Sequence, residues 1–574
     1  MLDLKLFLLI SSIFSTFQCE IIPDLPAEHY PYYLTTHPET EELCDDVNPE
    51  TNLYKTFCDV ISKSGRKCWG YEEQLGFACP PNAITKMPGK DLLGVANLSQ
   101  KLAVCINCPF IDCFQTECFA DANGWARTRK AQSELFYSQG DFGYIQQQLS
   151  EIKPYCLPNE NRDPESVYSK LECTDQFRFC RAENIMIDFS KLSHLPEPVK
   201  YRTDVLDDGL IGGWNCKLDK ASMRDQGKHK SPLQSWYEEL EHYTVFNDKV
   251  ECEVNLEKPT FIMKLDATVN MYHHFCDFVN LYASLHINNT FQMDNTILIW
   301  DTYPYRSNFE PVWSAFSGHP PLSLKAFTGK KVCFRQAVFP LLPRMVFGLY
   351  YNMPLVPGCY KSGLFNAFNR HVLHKLGISS RFDPKKDKKQ VRITLISRTT
   401  QYRRILNERA LVEALKKKSS SFAVRVATFS HSQPFKDQLD LIANTDILIG
   451  MHGAGLTHCL FLPDWAVLFE LYNCDDVHCY KDLAHLRGVK YITWENKEKL
   501  ERDSGRTGVN GDENNAKNGA HLKFSNYRFD VQEFLRLTMV AVQHVRTARY
   551  RHFESKQSEE PAVIRGLHSE HIEL

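Results

Sequence analysis

The stretch DILIGMHGAGLTHCLFLPDW, residues 446–465, constrains the fold more tightly than any other part of the chain. Ile447, Leu448 and Ile449 form an apolar run of the length of a buried parallel strand. Leu456, Cys459, Leu460 and Leu462 follow at a spacing that suits a helix packing back on a sheet. Between them lies the turn His452, Gly453, Ala454, Gly455. Strand, glycine turn and helix place unpaired N–H groups and the positive end of a helix dipole at the carboxyl edge of a sheet, where phosphate oxygens bind without a charged side chain. The turn reads either as an anion seat or as a device for close helix–strand packing. The next apolar run, Val467 to Phe469, ends on Glu470. That carboxylate is placed to accept both hydroxyls of a ribose, or else is a surface group at a loop start.

The same alternation extends upstream. VRITLIS reads as a strand, NERALVEALKK as a helix, FAVRVATF as a strand and FKDQLDLIANT as a helix leading into DILIG. An earlier set runs FIMKLD, a helix from Met271, TILIW, VCFRQAVF and a helix from Gly363. Such alternation means parallel βαβ units. The charged segment RFDPKKDKKQ, residues 381–390, reads as a linker between two lobes. Residues 217–380 are thus a first lobe and 391–497 a second. Residues 498–520 are polar and glycine-rich and read as a flexible insertion, and 521–553 hold an amphipathic closing helix.

The chain carries 67 basic and 70 acidic residues, which gives no general attraction for nucleic acid. Residues 1–19 hold one lysine before an apolar run from Leu6 to Phe17, a secretory signal too short to span a bilayer. No later segment has the length and apolarity of a membrane span. The 20 cysteines, twelve of them in the cysteine-rich region 20–216, are expected to form disulfides in an oxidising lumen. Asn97 and Asn288 are N-glycosylation acceptors and should lie on the surface. The tail 554–574 ends in His571, Ile572, Glu573 and Leu574, a variant of the retrieval signal read by a receptor of the endoplasmic reticulum.

Two constellations could carry chemistry. SRTTQYRRILNE sets Arg398 at a strand end, Arg403 and Arg404 beyond it, and Asn407 near a helix start. Guanidinium groups bind phosphate oxygens through paired donors, so these arginines converging on Gly453 would hold a diphosphate; as a solvated basic loop they would hold nothing. In VNMYHHFCDFVNLY, Asn270, His273 and Asp277 share one helix face and His274, Phe278 and Leu281 another. An imidazole or carboxylate here could take the proton of an attacking hydroxyl, or the stripe could merely satisfy itself within the lobe.

GMHGAGLTHCLFLPDW followed by FELYNC resembles the signature of glycosyltransferase family 61. KSPLQSWYEELEHY, KLDATVNMYHHFCDFVNLY, LLPRMVFGLYYN and SRTTQYRRILNE resemble further segments of members that act on EGF-like domains. The resemblance implies an α/β fold built as a GT-B-like pair of Rossmann-like lobes. It also implies inverting transfer of N-acetylglucosamine from UDP-GlcNAc to Ser or Thr of folded EGF-like domains, as in Notch-like extracellular proteins. By the family pattern His273 and Asp277 are the catalytic candidates, while Arg398, Arg403, Asn407, His452, Gly453, Ala454, Gly455 and Glu470 are those for the nucleotide sugar. One departure stands out: the animal relatives carry an Asp-Tyr-Asp triplet after a W-x-A-F string, and WSAFSGHPPLSL has Gly318, His319 and Pro320 there. Manganese has no carboxylate motif at that point, and a catalytically inactive lumenal binding protein for EGF-like clients is the competing expectation.

Overall fold

The computed structural model describes residues 117–118 and 128–554, apart from 159–165, 195–201, 229–230, 249, 292–293, 352–357, 384–386, 388, 431, 472–477 and 504–524. The expected signal segment, Asn97, most of the flexible insertion and the HIEL tail lie outside the described residues. The chain divides into two compact units, with the boundary at Gly377 and Ile378.

The first unit is built on an eleven-stranded mixed sheet. Its parallel part comprises β2 (Thr260–Met263), β3 (Thr296–Ile299), β4 (Leu322–Ser323) and β5 (Lys331–Phe339), in the order β4-β3-β2-β5. The antiparallel part joins through β1 (Cys180–Asp188), which pairs with β5. Three further strands, Lys170–Cys173, Lys153–Pro158 and Cys216–Leu218, extend it. A boundary at residue 217 therefore cuts through one sheet, because strands from both sides of it share hydrogen bonds. Disulfides Cys156–Cys216, Cys173–Cys180 and Cys252–Cys333 tie strands or strand ends of this unit together. Helix α1 (Met271–Ile287) crosses from β2 to β3, and every residue from His274 to Ile287 is buried. Helix α2 (Gly363–Lys375) closes the unit, with Ser362 as its cap.

The second unit has a five-stranded, wholly parallel sheet of β6 (Val391–Ile396), β7 (Phe422–Ala427), β8 (Ile447–Met451), β9 (Val467–Leu471) and β10 (Lys490–Thr493). Their order is β7-β6-β8-β9-β10, a doubly wound arrangement whose direction reverses between β6 and β8. Helix α3 (Glu408–Lys418) links β6 to β7, with Glu408 in its first turn and Lys416, Lys417 and Lys418 in its last, which suits the helix dipole. Helix α4 (Phe435–Ala443) leads into β8, and α5 (Cys479–Arg487) precedes β10. The helix expected after Gly453 is a tighter 3₁₀ helix, Ala454–Phe461. Leu456 to Phe461 are buried without a break, wedged against α4, α5 and β8.

The expected insertion begins later than residue 498, since β11 (Leu500–Arg502) pairs with β12 (Tyr527–Phe529). Helix α6 (Val531–Glu554) lays Phe534, Leu537, Ala541, Val542 and Val545 into the same core as Ile447, Ile449 and Phe469.

Candidate active site

In the second unit, two loops leave the sheet side by side where its winding reverses. The loop after β6 carries Arg398 and Arg403, and the loop after β8 carries the His452–Gly455 turn. The crevice at such a reversal is where doubly wound sheets take ligands. Gly453 has φ 151° and ψ 168°, a conformation reserved for glycine. A Cβ on it would meet Arg398 Nη1 at 2.6 Å and Arg403 Nη1 at 3.0 Å. Arg403 Nη1 donates to the His452 carbonyl at 3.2 Å, and its backbone sits in the left-handed region at φ 59°. Holding a non-glycine residue there costs about 1–3 kcal/mol. Arg398 is half-buried, and its Nε has no hydrogen-bond partner among the described residues. Burial, and then the Arg403 charge, pushes the Arg398 pKa below its ordinary value. Two guanidinium groups set against one glycine repel each other, and anion oxygens between them would relieve both.

The other expected ligands of the nucleotide sugar behave differently. Glu470 is buried, with Oε1 2.6 Å from His452 Nδ1 and Oε2 accepting the Tyr491 hydroxyl at 2.6 Å. Both of its oxygens are engaged, so it orients His452 instead of standing open to a ribose. Tyr480 packs edge-on against the His452 ring at 5.1 Å. Asn407 donates from Nδ2 to the Phe529 carbonyl at 2.8 Å and accepts the Phe529 N–H at 3.1 Å, which fixes β12. Ala454 and Gly455 open the 3₁₀ helix, and His458 Nδ1 donates to the Gly455 carbonyl at 2.8 Å.

In the first unit, His273 and Asp277 do not pair. Asn270 caps α1 by accepting the Tyr272 N–H at 3.1 Å and so leaves the polar stripe. Asp277, fully buried, accepts from His274 Nδ1 at 2.8 Å and from the Asp266 N–H at 3.2 Å. His274 is thus Asp277's partner, not an apolar-face residue, and its Nε2 lies 2.8 Å from the Tyr305 hydroxyl. His273 turns the other way. Its Nδ1 stands 2.9 Å from Asp266 Oδ2, within ion-pair reach though not aligned as a full hydrogen bond. Arg344 grips Asp266 with both prongs, Nε to Oδ2 at 2.8 Å and Nη2 to Oδ1 at 2.9 Å. Burial would raise the Asp266 pKa, but the His273 and Arg344 contacts outweigh it and hold the carboxyl at about 2. Asp266 and Arg344 escaped the sequence reading, although each follows a strand in a quoted segment, KLDATVNMYHH and LLPRMVFGLYYN.

Asn288 departs from expectation as well. It is buried at the end of α1 with Nδ2 donating to Thr290 Oγ1 at 3.2 Å, so its sequon is folded inward. At the place of the missing carboxylate triplet, His319 Nε2 lies 3.5 Å from Asp294 and 3.2 Å from Lys258 Nζ. Among the described residues, no group of three or more His, Cys, Asp and Glu side chains could hold a metal ion.

Fold and site together define an α/β protein with a cationic seat where its second sheet reverses. The sequence model described as Glycosyltransferase 61 matches residues 271–469. The chain is similar to the EGF domain-specific O-linked N-acetylglucosamine transferase of Rattus norvegicus, 42% identical over 91% of this chain and 89% of the relative. It is similar also to that of Drosophila melanogaster, 43% identical over 94% of each. The chain belongs to glycosyltransferase family 61 and is a glycosyltransferase.

Proposed function

We propose that this chain transfers N-acetylglucosamine from UDP-GlcNAc to Ser or Thr of folded EGF-like domains, with inversion at the anomeric carbon. The two units would form a GT-B pair of Rossmann-like lobes, a reading supported by the reversal of winding in each sheet. Arg398 and Arg403 at Gly453 carry the donor half of the proposal: paired guanidinium groups beside a glycine turn suit a diphosphate. The acceptor class is carried by the relatives, whose names specify EGF domains. The two arginines would offset the leaving diphosphate's charge, and manganese, for which no carboxylate motif is present at Gly318 to Pro320, is an arm of the test. Lumenal residence is supported by the disulfides, which persist in oxidising compartments.

The test is incubation of the purified protein with UDP-GlcNAc and a folded EGF-like domain, with and without manganese, followed by intact-mass measurement. One added N-acetylhexosamine is expected. No addition under either condition leaves the inactive-binder reading. For residence, deletion of His571 to Leu574 should release the protein into the culture medium, and continued retention would show that another feature holds it.

A further inference from the structure

The parallel strands of the first unit run β4-β3-β2-β5, so the chain winds outward from β2 to β4 and then reverses to place β5 on the other side of β2. That gives this unit a reversal point of its own, at the carboxyl ends of β2 and β5. Asp266 lies three residues beyond β2 and Arg344 five beyond β5, and they meet there. Lys264, between β2 and Asp266, is pinned by a buried ion pair with Glu239 at 2.6 Å and lies over the Trp236 ring. The Asp266 N–H is held by Asp277. The loop is tied to its neighbours where the acid sits.

Among the described residues, this unit has four histidine–carboxylate pairs, and they differ in burial. In His242–Asp208 the acid is 83% exposed, in His319–Asp294 the two partners are 60% and 50% exposed, and in His274–Asp277 both are fully buried. His273–Asp266 alone joins a buried acid, 2% exposed, to a ring that reaches the surface, 23% exposed. A fixed carboxylate behind a reachable imidazole is the arrangement of an oriented base. We propose that Asp266, clamped by Arg344, is the positioning residue that sets His273 to take the proton of the acceptor hydroxyl. This rests on the transferase reading above.

The Asp266 carboxylate 2.9 Å from Nδ1 favours the tautomer with its proton on Nδ1, and Nε2 then keeps its lone pair. The acceptor Oγ forms its bond to the anomeric carbon as the bond to the β-phosphate oxygen breaks. The electron pair leaves with UDP, and the Oγ proton passes to Nε2. Asp266 stays ionised and offsets the imidazolium. Arg344, Tyr272, Tyr351, Asp277 and Cys276 are charged or titratable groups that face this pair.

The experiment compares wild type, D266N, H273A and the double variant H273A/D266N for single-turnover transfer to an EGF-like domain, UDP affinity and melting temperature. D266N should slow transfer about 100-fold with UDP affinity unchanged. The double variant should be no slower than H273A alone, since two parts of one device do not add; a purely structural role for Asp266 would add. Should D266N not fold, D266E decides: it keeps a carboxylate for Arg344 but displaces it from Nδ1, and must slow transfer about 10-fold. A wild type that transfers beside an undiminished D266N, or an undiminished D266E, overturns this proposal alone. A wild type that transfers nothing overturns the transferase reading and this proposal with it.

Discussion

His452 Nδ1 and Glu470 Oε1 stand 2.6 Å apart, so the first residue of the glycine turn is tied to the neighbouring strand β9. Glu470 reaches Tyr491 in β10 with its other oxygen. Three successive loops or strands thus share one buried carboxylate. Glu470→Gln removes the charge and turns one acceptor oxygen into a donor against His452 or Tyr491. Stability should fall by about 1–3 kcal/mol in urea titration. A variant as stable as wild type would show that the bridge does not hold the turn.

Gly453 offers a sharper probe, because the position is small for two reasons at once. Its φ of 151° disfavours any side chain, and an added methyl group would press on Arg398 and Arg403. Gly453→Ala should lower UDP affinity at least tenfold in calorimetric titration, chiefly by displacing the two guanidinium groups. Unchanged affinity would place the diphosphate elsewhere.

Arg403→Ala should weaken UDP binding by about 1.5–3 kcal/mol, the scale of a charge-assisted contact. Arg398→Ala should cost a similar amount. Since each guanidinium also repels the other, the double variant should lose less than the sum. Full additivity in calorimetry would mean that the two arginines act on separate groups.

The strands and helices of the second unit were legible from the chain because β8 and β9 are buried on both faces and open on apolar runs, while β6 alternates Val391, Ile393 and Leu395 with Arg392 and Thr394. Arg398, Arg403 and Gly453 were legible because strand ends and glycine turns announce themselves. The partners of Glu470 and Asn407 were not legible: periodicity says where a polar group sits, not which neighbour it bonds, and Tyr491 and Phe529 arrive from later in the chain. Asp277 misled because an i,i+3 contact to His274 competed with the i,i+4 spacing to His273, and only the loop from β2 supplied a better partner for His273. The extent of the first sheet could not be read either, since its antiparallel strands lie in a cysteine-rich region of weak alternation.

Acid should destabilise both units. Burial pushes the His371 pKa down to about 3 and the His458 pKa down to about 4, so both rings are neutral in the folded chain. The unfolded chain takes up protons near the ordinary value of 6.5, so these groups contribute full stability above that value and lose it as pH falls. By pH 5 each should have lost about 2 kcal/mol. Urea titrations at pH 7 and pH 5 measure the loss. His458→Gln should flatten the dependence of the second unit alone, and an undiminished slope would assign the acid sensitivity to other groups.

The last prediction separates the two carboxylates that flank the start of α1. Asp277 is fully buried and holds both His274 and the Asp266 backbone, so its loss should register first as stability. His273 is partly exposed near the helix start, and its replacement disturbs little packing. Asp277→Asn should therefore lower stability by about 1–3 kcal/mol, whereas His273→Ala should change it by about 1 kcal/mol or less and slow transfer about 100-fold. Melting curves and single-turnover rates on the two variants decide between them. If Asp277→Asn proved as stable as wild type and as slow as His273→Ala, then Asp277, not Asp266, would govern the base, and the spacing along the helix would have been the better guide than the contacts made in the fold.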